Sequence, residues 1–191
     1  MAPTRSPFPQ SRTVVLVVDV INRLDFPGGR SFGTRAMPTI RAIGRLVERA
    51  RGAGVPVVFV NDNFGRWRSD IERMIASVSA PGCAGGAWLE ILRPSARDFV
   101  VLKSTLSGFY QTPLEAMLRQ GGVTTVVITG VVTGNCVLFT AADAYMRGFT
   151  VVVPGDCVDD LSRRSRSDGL RRIRALLKAR IAASRSLKLR R

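Results

Sequence analysis

The chain contains no histidine. That absence removes Ser-His-Asp and Cys-His hydrolysis, along with every metal site that depends on imidazole. Cysteine is scarce too. Cys83, Cys136 and Cys157 are an odd number, widely spaced and without a CxxC pair, so neither a disulfide framework nor a cysteine zinc site is encoded. A reducing, cytoplasmic setting is the expectation that follows. No apolar run is long enough to cross a bilayer, and the opening MAPTRSPFPQSR lacks the apolar core of a secretory signal. No GxGxxG or Walker loop occurs, which leaves a dinucleotide or nucleoside-triphosphate site unsupported. Lysine is nearly missing as well: only Lys103, Lys178 and Lys188 stand among the 29 Lys+Arg residues.

What is present suits one domain: 191 residues, 46% hydrophobic and 23% charged. The net charge of +15 is unevenly spread. Residues 162–191 carry 12 of the 29 bases and a single acid, Asp168. The arginines at 163, 164, 166, 171, 172, 174 and 180 interleave with Leu170, Ile173, Leu177 and Ile181. That is the pattern of a packed helix with a solvated basic face, so nucleic acid is not an expected partner. The closing ASRSLKLRR has no such stripe and is expected to be mobile. The expected layout is a flexible 1–12, one domain over 13–183 and a basic tail over 184–191 whose removal is harmless.

Apolar runs alternate with helical periodicity along the chain. Strands are predicted at 13–18 (TVVLVV), 55–60 (VPVVFV), 99–102, 124–129 (TTVVIT) and 149–153. Helices are predicted at 38–53, at 69–77 with Ser69 and Glu72 as a capping box, and after Thr112-Pro113. Two more follow at 135–146 and about 168–183, while 80–87 (APGCAGGA) reads as loop. The class is therefore α/β, three layers with a mostly parallel central sheet and helices on both faces. Sites in such folds lie beyond the carboxyl ends of the strands. Here those ends carry Asp19, Asn61-Asp62, Lys103 and the loop from Gly130 to Cys136.

Cys136 follows a strand and a glycine-containing turn at the start of a helix, where backbone N–H groups favour an anion and lower a thiol's pKa. Position alone fits a buried apolar cysteine equally well. Cys83 and Cys157 lack that setting. Asp19, Lys103 and Cys136 together are an acid, a cation and a thiol from three strand ends, a histidine-free means of activating a nucleophile.

Four stretches carry a family resemblance: VVLVVDVINRLDFPGG (14–29), VFVNDNFGRWRSD (58–70), FVVLKSTLSGFYQTPLEAML (99–118) and TGVVTGNCVLFTAADAYMRGF (129–149). In order and spacing they resemble the isochorismatase-like cysteine hydrolases, which include nicotinamidases, N-carbamoylsarcosine amidases and ureidoacrylate hydrolases. The resemblance implies a Rossmann-like fold and a catalytic Asp19, Lys103 and Cys136. It also implies a cis peptide at Val131–Val132 and an oxyanion hole from the amides of Val132 and Cys136. The implied reaction is hydrolysis of an amide or carbamoyl C–N bond in a small molecule, by a homo-oligomer with no cofactor. Asn22, Phe26, Asp62, Trp67, Phe109 and Tyr110 are the candidate substrate contacts.

Three departures from the family pattern stand out. The segment Asn61-Asp62-Asn63-Phe64 offers no histidine where metal-dependent nicotinamidases bind their ion, which speaks against a metal and against nicotinamide. Arg23 stands where relatives carry an acid, and Ser104 where proline is common. True isochorismatases lack the cysteine, so Cys136 argues against vinyl-ether hydrolysis. The competing expectation is a catalytically idle member that serves as a binding or regulatory protein.

Overall fold

Val14 to Val18 have essentially no contact with solvent, and their side chains alternate between two separate apolar clusters. A strand buried on both faces must lie inside a sheet covered on both sides. The computed structural model, described for residues 7–65, 67–68 and 70–191, shows that sheet. Its strands are β1 (Thr13–Val18), β2 (Val57–Asp62), β3 (Phe99–Lys103), β4 (Thr125–Val131), β5 (Thr150–Pro154), β6 (Val158–Asp159) and β7 (Arg180–Ala182). They run in the order β3-β2-β1-β4-β5-β7, with β6 paired to the end of β4, and the pairings are parallel.

One face is covered by α1 (Gly29–Arg35), α2 (Met37–Gly52), α3 (Ile71–Val78) and α4 (Gly86–Leu92), which bury Phe32, Ile40, Ile43, Met74 and Trp88 against it. The other is covered by α5 (Leu114–Gln120), α6 (Leu138–Met146) and α7 (Arg163–Leu177), through Leu114, Leu118, Ala141, Ala144 and Ile173. Among the described residues, no helix is long and apolar enough to cross a membrane.

Several boundaries differ from expectation, each for a local reason. The N–H of Val55 closes the end of α2 by donating to Ala50 O at 2.9 Å, so β2 begins only beyond Pro56. Ser69 lies outside the described residues; the cap of α3 is Asp70, whose carboxylate accepts from Arg73 N at 2.8 Å. Thr112 Oγ1 does accept from Leu114 N, at 3.3 Å. Helices α1 and α4, seven residues each, are too short to be stable on propensity alone. They are held by packing: Trp88 is fully buried and its indole donates to Gly33 O at 3.0 Å.

The C-terminal third needs the largest correction. α7 begins at residue 163, capped by Ser162, and stops at Lys178, which adopts a left-handed conformation with φ 51°. Leu170, Ile173 and Leu177 face the core as expected, but Ile181 belongs to β7, which pairs with the open edge of β5. Residues 184–191 are packed. Ser184 donates both its amide and its hydroxyl to Asp156, Arg49 donates to the carbonyls of Ser184 and Leu187, and Leu187 is buried. At the other end, residues 1–6 lie outside the described residues, but Phe8 packs on Phe99 and Ser11 N donates to Gly121 O. Removing residues 184–191 is therefore expected to lower stability by about 3 kcal/mol or more, from one buried leucine and several charge-assisted hydrogen bonds. A urea unfolding midpoint unchanged by the truncation would contradict the packing.

Candidate active site

Four strands end side by side. The register pairs Val18 with both Val60 and Gly130, and Asp62 with Lys103, so residues just past β1, β2, β3 and β4 share one edge. Gly130 permits the closest approach. Its φ is +116°, and a Cβ there would lie 2.0 Å from the carbonyl oxygen of Val18, which no side chain can tolerate.

Asp19 leaves β1 with a left-handed φ of 54°, a conformation that aspartate adopts more readily than most residues. The turn aims its carboxylate across the strand ends. Oδ1 accepts from Asp62 N at 2.7 Å, and Oδ2 lies 2.9 Å from Lys103 Nζ. The Lys103 side chain is wholly buried, with Asp62 Oδ2 at 3.3 Å, Cys136 Sγ at 3.5 Å, and Thr105 O accepting at 2.9 Å. Three N–H bonds thus meet four neighbours, and the sulfur is the most distant of them. Asp19 also acts electrostatically on the Cys136 thiol. Lys103 thus touches both Asp19 and Cys136, the two residues expected to act with it.

Cys136 lies in a single π-helical turn, Thr133–Val137, that links β4 to α6, and the preceding Val131–Val132 peptide is cis. The thiol is half-buried. Burial and then the Asp19 carboxylate push its pKa up to about 12, overriding the pull of Lys103. The expectation of a depressed thiol pKa is thus not met: burial and the neighbouring carboxylate favour the protonated thiol. Burial also raises the pKa of Asp19 above the ordinary carboxylate value, although Lys103 opposes it. Burial works against the Lys103 ammonium, but neighbouring charge, Asp19 first, holds its pKa above the usual lysine value.

The remaining candidates fall in different places. Asp62 is part of the cluster: besides its contact with Lys103, Oδ1 accepts from Phe64 N at 2.7 Å. Asn22 closes a local turn by accepting from Leu24 N, and with Asn63, Phe64, Met74 and Ser77 it lines a hollow of about 110 Å³. Phe26 stands over Phe32 at the edge of a wider groove. Neither hollow includes Asp19, Lys103 or Cys136. Trp67 and Tyr110 are exposed. Phe109 is not a pocket residue. It is buried against Phe149 with Arg147 over its ring, because Thr140 Oγ1 accepts from Gly108 N and draws the chain inward. Arg23, one of the departures, pairs with Asp25 at 2.8 Å and donates to Ser77 O.

Asn61 serves the site in a way its position alone did not reveal. It is buried, accepts from Ile21 N at 3.0 Å and donates to Ile21 O at 3.1 Å, which fixes the chain just past Asp19. Among the described residues, no group of three His, Cys, Asp or Glu side chains is placed to hold a metal ion.

An Isochorismatase domain model matches residues 13–184. The chain belongs to the isochorismatase family. Within that family it is similar to the uncharacterized isochorismatase family protein YaaI of Bacillus subtilis (strain 168), 33% identical over 147 residues, 75% of this chain and 78% of the relative. It is also similar to the ureidoacrylate amidohydrolase RutB of Methylorubrum extorquens, 32% identical over 174 residues, 78% of this chain and 70% of the relative. Among solved structures it resembles the N-carbamoylsarcosine amidase of Thermoplasma acidophilum, with a TM-score of 0.72 and 29% identity over 93% of this chain and 99% of that one. The three-layer architecture is that of isochorismatase-like hydrolases.

Proposed function

We propose that this protein is a cysteine amidohydrolase that cleaves an amide or carbamoyl C–N bond of a small, non-peptide substrate through a thioester on Cys136. The observation that carries this reading is a thiol against a buried ammonium that is itself paired with a buried carboxylate, with no histidine in the chain. The family's ureidoacrylate, maleamate and N-carbamoylsarcosine hydrolases support the bond type.

Asp19 removes the Sγ proton as sulfur attacks the substrate carbonyl, forming the C–S bond. Lys103 lies close enough to balance charge that develops on sulfur. The amides of Val132 and Cys136 hold the tetrahedral oxyanion. As the C–N bond breaks, Asp19 returns the proton to the leaving nitrogen. A water then gives Asp19 a proton, attacks the thioester, and releases the acid product with the thiol restored. Asp62, Asn22, Phe26, Trp67 and Tyr110 are the residues for which we propose substrate contact, the aromatics offering apolar faces on loops beyond the strand ends.

A coupled ammonia assay with ureidoacrylate, N-carbamoylsarcosine, maleamate and nicotinamide tests the reading. Turnover of at least one acyclic substrate is expected. No ammonia from any of them, with all three thiols alkylating alike, would leave a binding protein in place of an enzyme. The pH profile of kcat/KM carries a further expectation. Asp19 must be ionised to take the thiol proton, and its pKa is raised, so activity should fall on acidification at a pH above the ordinary carboxylate range. With the thiol near 12 and Lys103 shifted upward, no alkaline loss is expected below about pH 10. A bell with an alkaline limb near neutrality would contradict these roles.

A further inference from the structure

Behind the cysteine turn lies a second buried polar assembly, built from residues outside the reacting cluster. Asp159 ends β6 and Asp160 follows it, and each is only 5% exposed. Asp160 Oδ2 accepts from Gly134 N at 2.7 Å, two residues before Cys136, while Oδ1 accepts from Leu161 N at 2.7 Å. Thr133 Oγ1 donates to Asp159 O at 2.9 Å. Both anchored residues, Thr133 and Gly134, belong to the turn that carries the sulfur.

The assembly is locked from the opposite side by α1. Arg35 Nη1 donates to Asp159 Oδ1 at 3.1 Å, Nη2 donates to Asp160 O, and Asp160 N closes back onto Asp159 Oδ1 at 2.8 Å. The Asp160 carboxylate has no arginine or lysine side chain on it among the described residues; two backbone N–H groups are its partners. A buried carboxylate held that way is costly to desolvate. What the arrangement does achieve is orientation. It fixes the direction of the Gly134 amide, and with it the peptide planes leading to Cys136. From behind, α7 allows no slack, since a Cβ on Gly169 would lie 3.0 Å from Gly134 N.

We infer that Asp160 is a positioning residue for the nucleophile, and that Arg35 sets it, linking the segment after β1 to the turn after β4. The inference rests on the hydrolase reading for its effect on turnover, but its effect on the thiol can be read without any substrate. Misplacing a reacting group by about 1 Å can cost on the order of 100-fold in rate. Asp160→Asn keeps the volume but offers one acceptor oxygen where two amides now donate. Its kcat on the parent protein's best substrate among ureidoacrylate, N-carbamoylsarcosine and maleamate is expected to fall about 10- to 100-fold, with KM nearly unchanged. The rate of Cys136 alkylation by iodoacetamide should change several-fold in the same variant, while far-UV circular dichroism stays the same.

Arg35 is partly exposed, with a side chain 33% accessible, and offers a second variant should Asp160→Asn fail to fold. Arg35→Ala should reproduce the kcat loss in weaker form, Arg35→Lys should recover part of it, and the double variant should lose less than the product of the single losses. Parent-like kcat and parent-like alkylation in Asp160→Asn, or in Arg35→Ala if the first does not fold, would overturn the inference and leave the hydrolase reading standing. If the parent itself releases no ammonia, that reading fails, and alkylation of Cys136 in these variants still decides the positioning role.

Discussion

Cys136→Ala is expected to reduce ammonia release by on the order of 10⁴-fold or more while leaving the fold intact. The substitution removes one sulfur from a half-buried position, so little packing is lost. Under the proposed mechanism it also removes the atom that forms the covalent intermediate, and deleting a nucleophile is among the costliest changes to an active site. Cys136→Ser is the informative companion. Its hydroxyl nearly keeps the volume and the place beside Lys103 but is far less nucleophilic, so it too should be nearly inactive. Mass spectrometry of the parent protein quenched during turnover should find the acyl adduct on Cys136. Substantial activity in the alanine variant would end the thioester mechanism. A kcat loss confined to Cys83 or Cys157 variants would place the chemistry elsewhere.

Lys103→Met is expected to abolish activity and also to destabilise the protein by about 3–5 kcal/mol, the usual consequence of removing one partner from a buried ion pair. The lysine side chain is fully buried, and it faces Asp19 at 2.9 Å and Asp62 at 3.3 Å. Methionine would leave Asp19 a buried carboxylate without its cation. Combining Lys103→Met with Asp19→Asn should restore much of the lost stability, because no charge is then stranded, yet restore none of the activity. Urea unfolding followed by tryptophan fluorescence provides the measurement, since Trp88 is buried in the core. An unfolding midpoint unmoved by Lys103→Met would show that the cluster is not a tightly coupled buried pair.

The sheet was legible because its strands are continuous apolar runs between short helical segments, and burial on both faces demands such runs. That Asp19, Lys103 and Cys136 would lie at one sheet edge was legible for a related reason: Asp19 and Lys103 close apolar runs and Cys136 follows the turn after one, at the end where parallel sheets place their chemistry. Other features depend on contacts that no local pattern encodes. α4 is a helix because Trp88 is buried beneath it, and β7 is a strand because β5 has an open edge. Phe109 was placed at the pocket by its neighbourhood in sequence, whereas a hydrogen bond from Gly108 to Thr140 turns it into the core. The state of the thiol was misjudged because a turn at a helix start suggests stabilisation of an anion, while the nearby Asp19 carboxylate and burial act more strongly in the opposite sense. Asp160 carries no recognisable signal in sequence; its role emerges only where two distant loops meet.

The contact between Gly130 and Val18 bears on how this scaffold can change its substrate. The strand that ends at Asp19 and the strand that leads to Cys136 meet there backbone to backbone, with no room for even a methyl group. Reaction geometry is thereby written into main-chain packing, which ordinary side-chain replacement leaves untouched. The segments after β2 and β3 are freer, with Trp67 and Tyr110 largely in solvent. Libraries aimed at a new amide should therefore randomise those segments and leave position 130 alone, so that selectivity can drift over many generations while the bond-breaking apparatus stays in register.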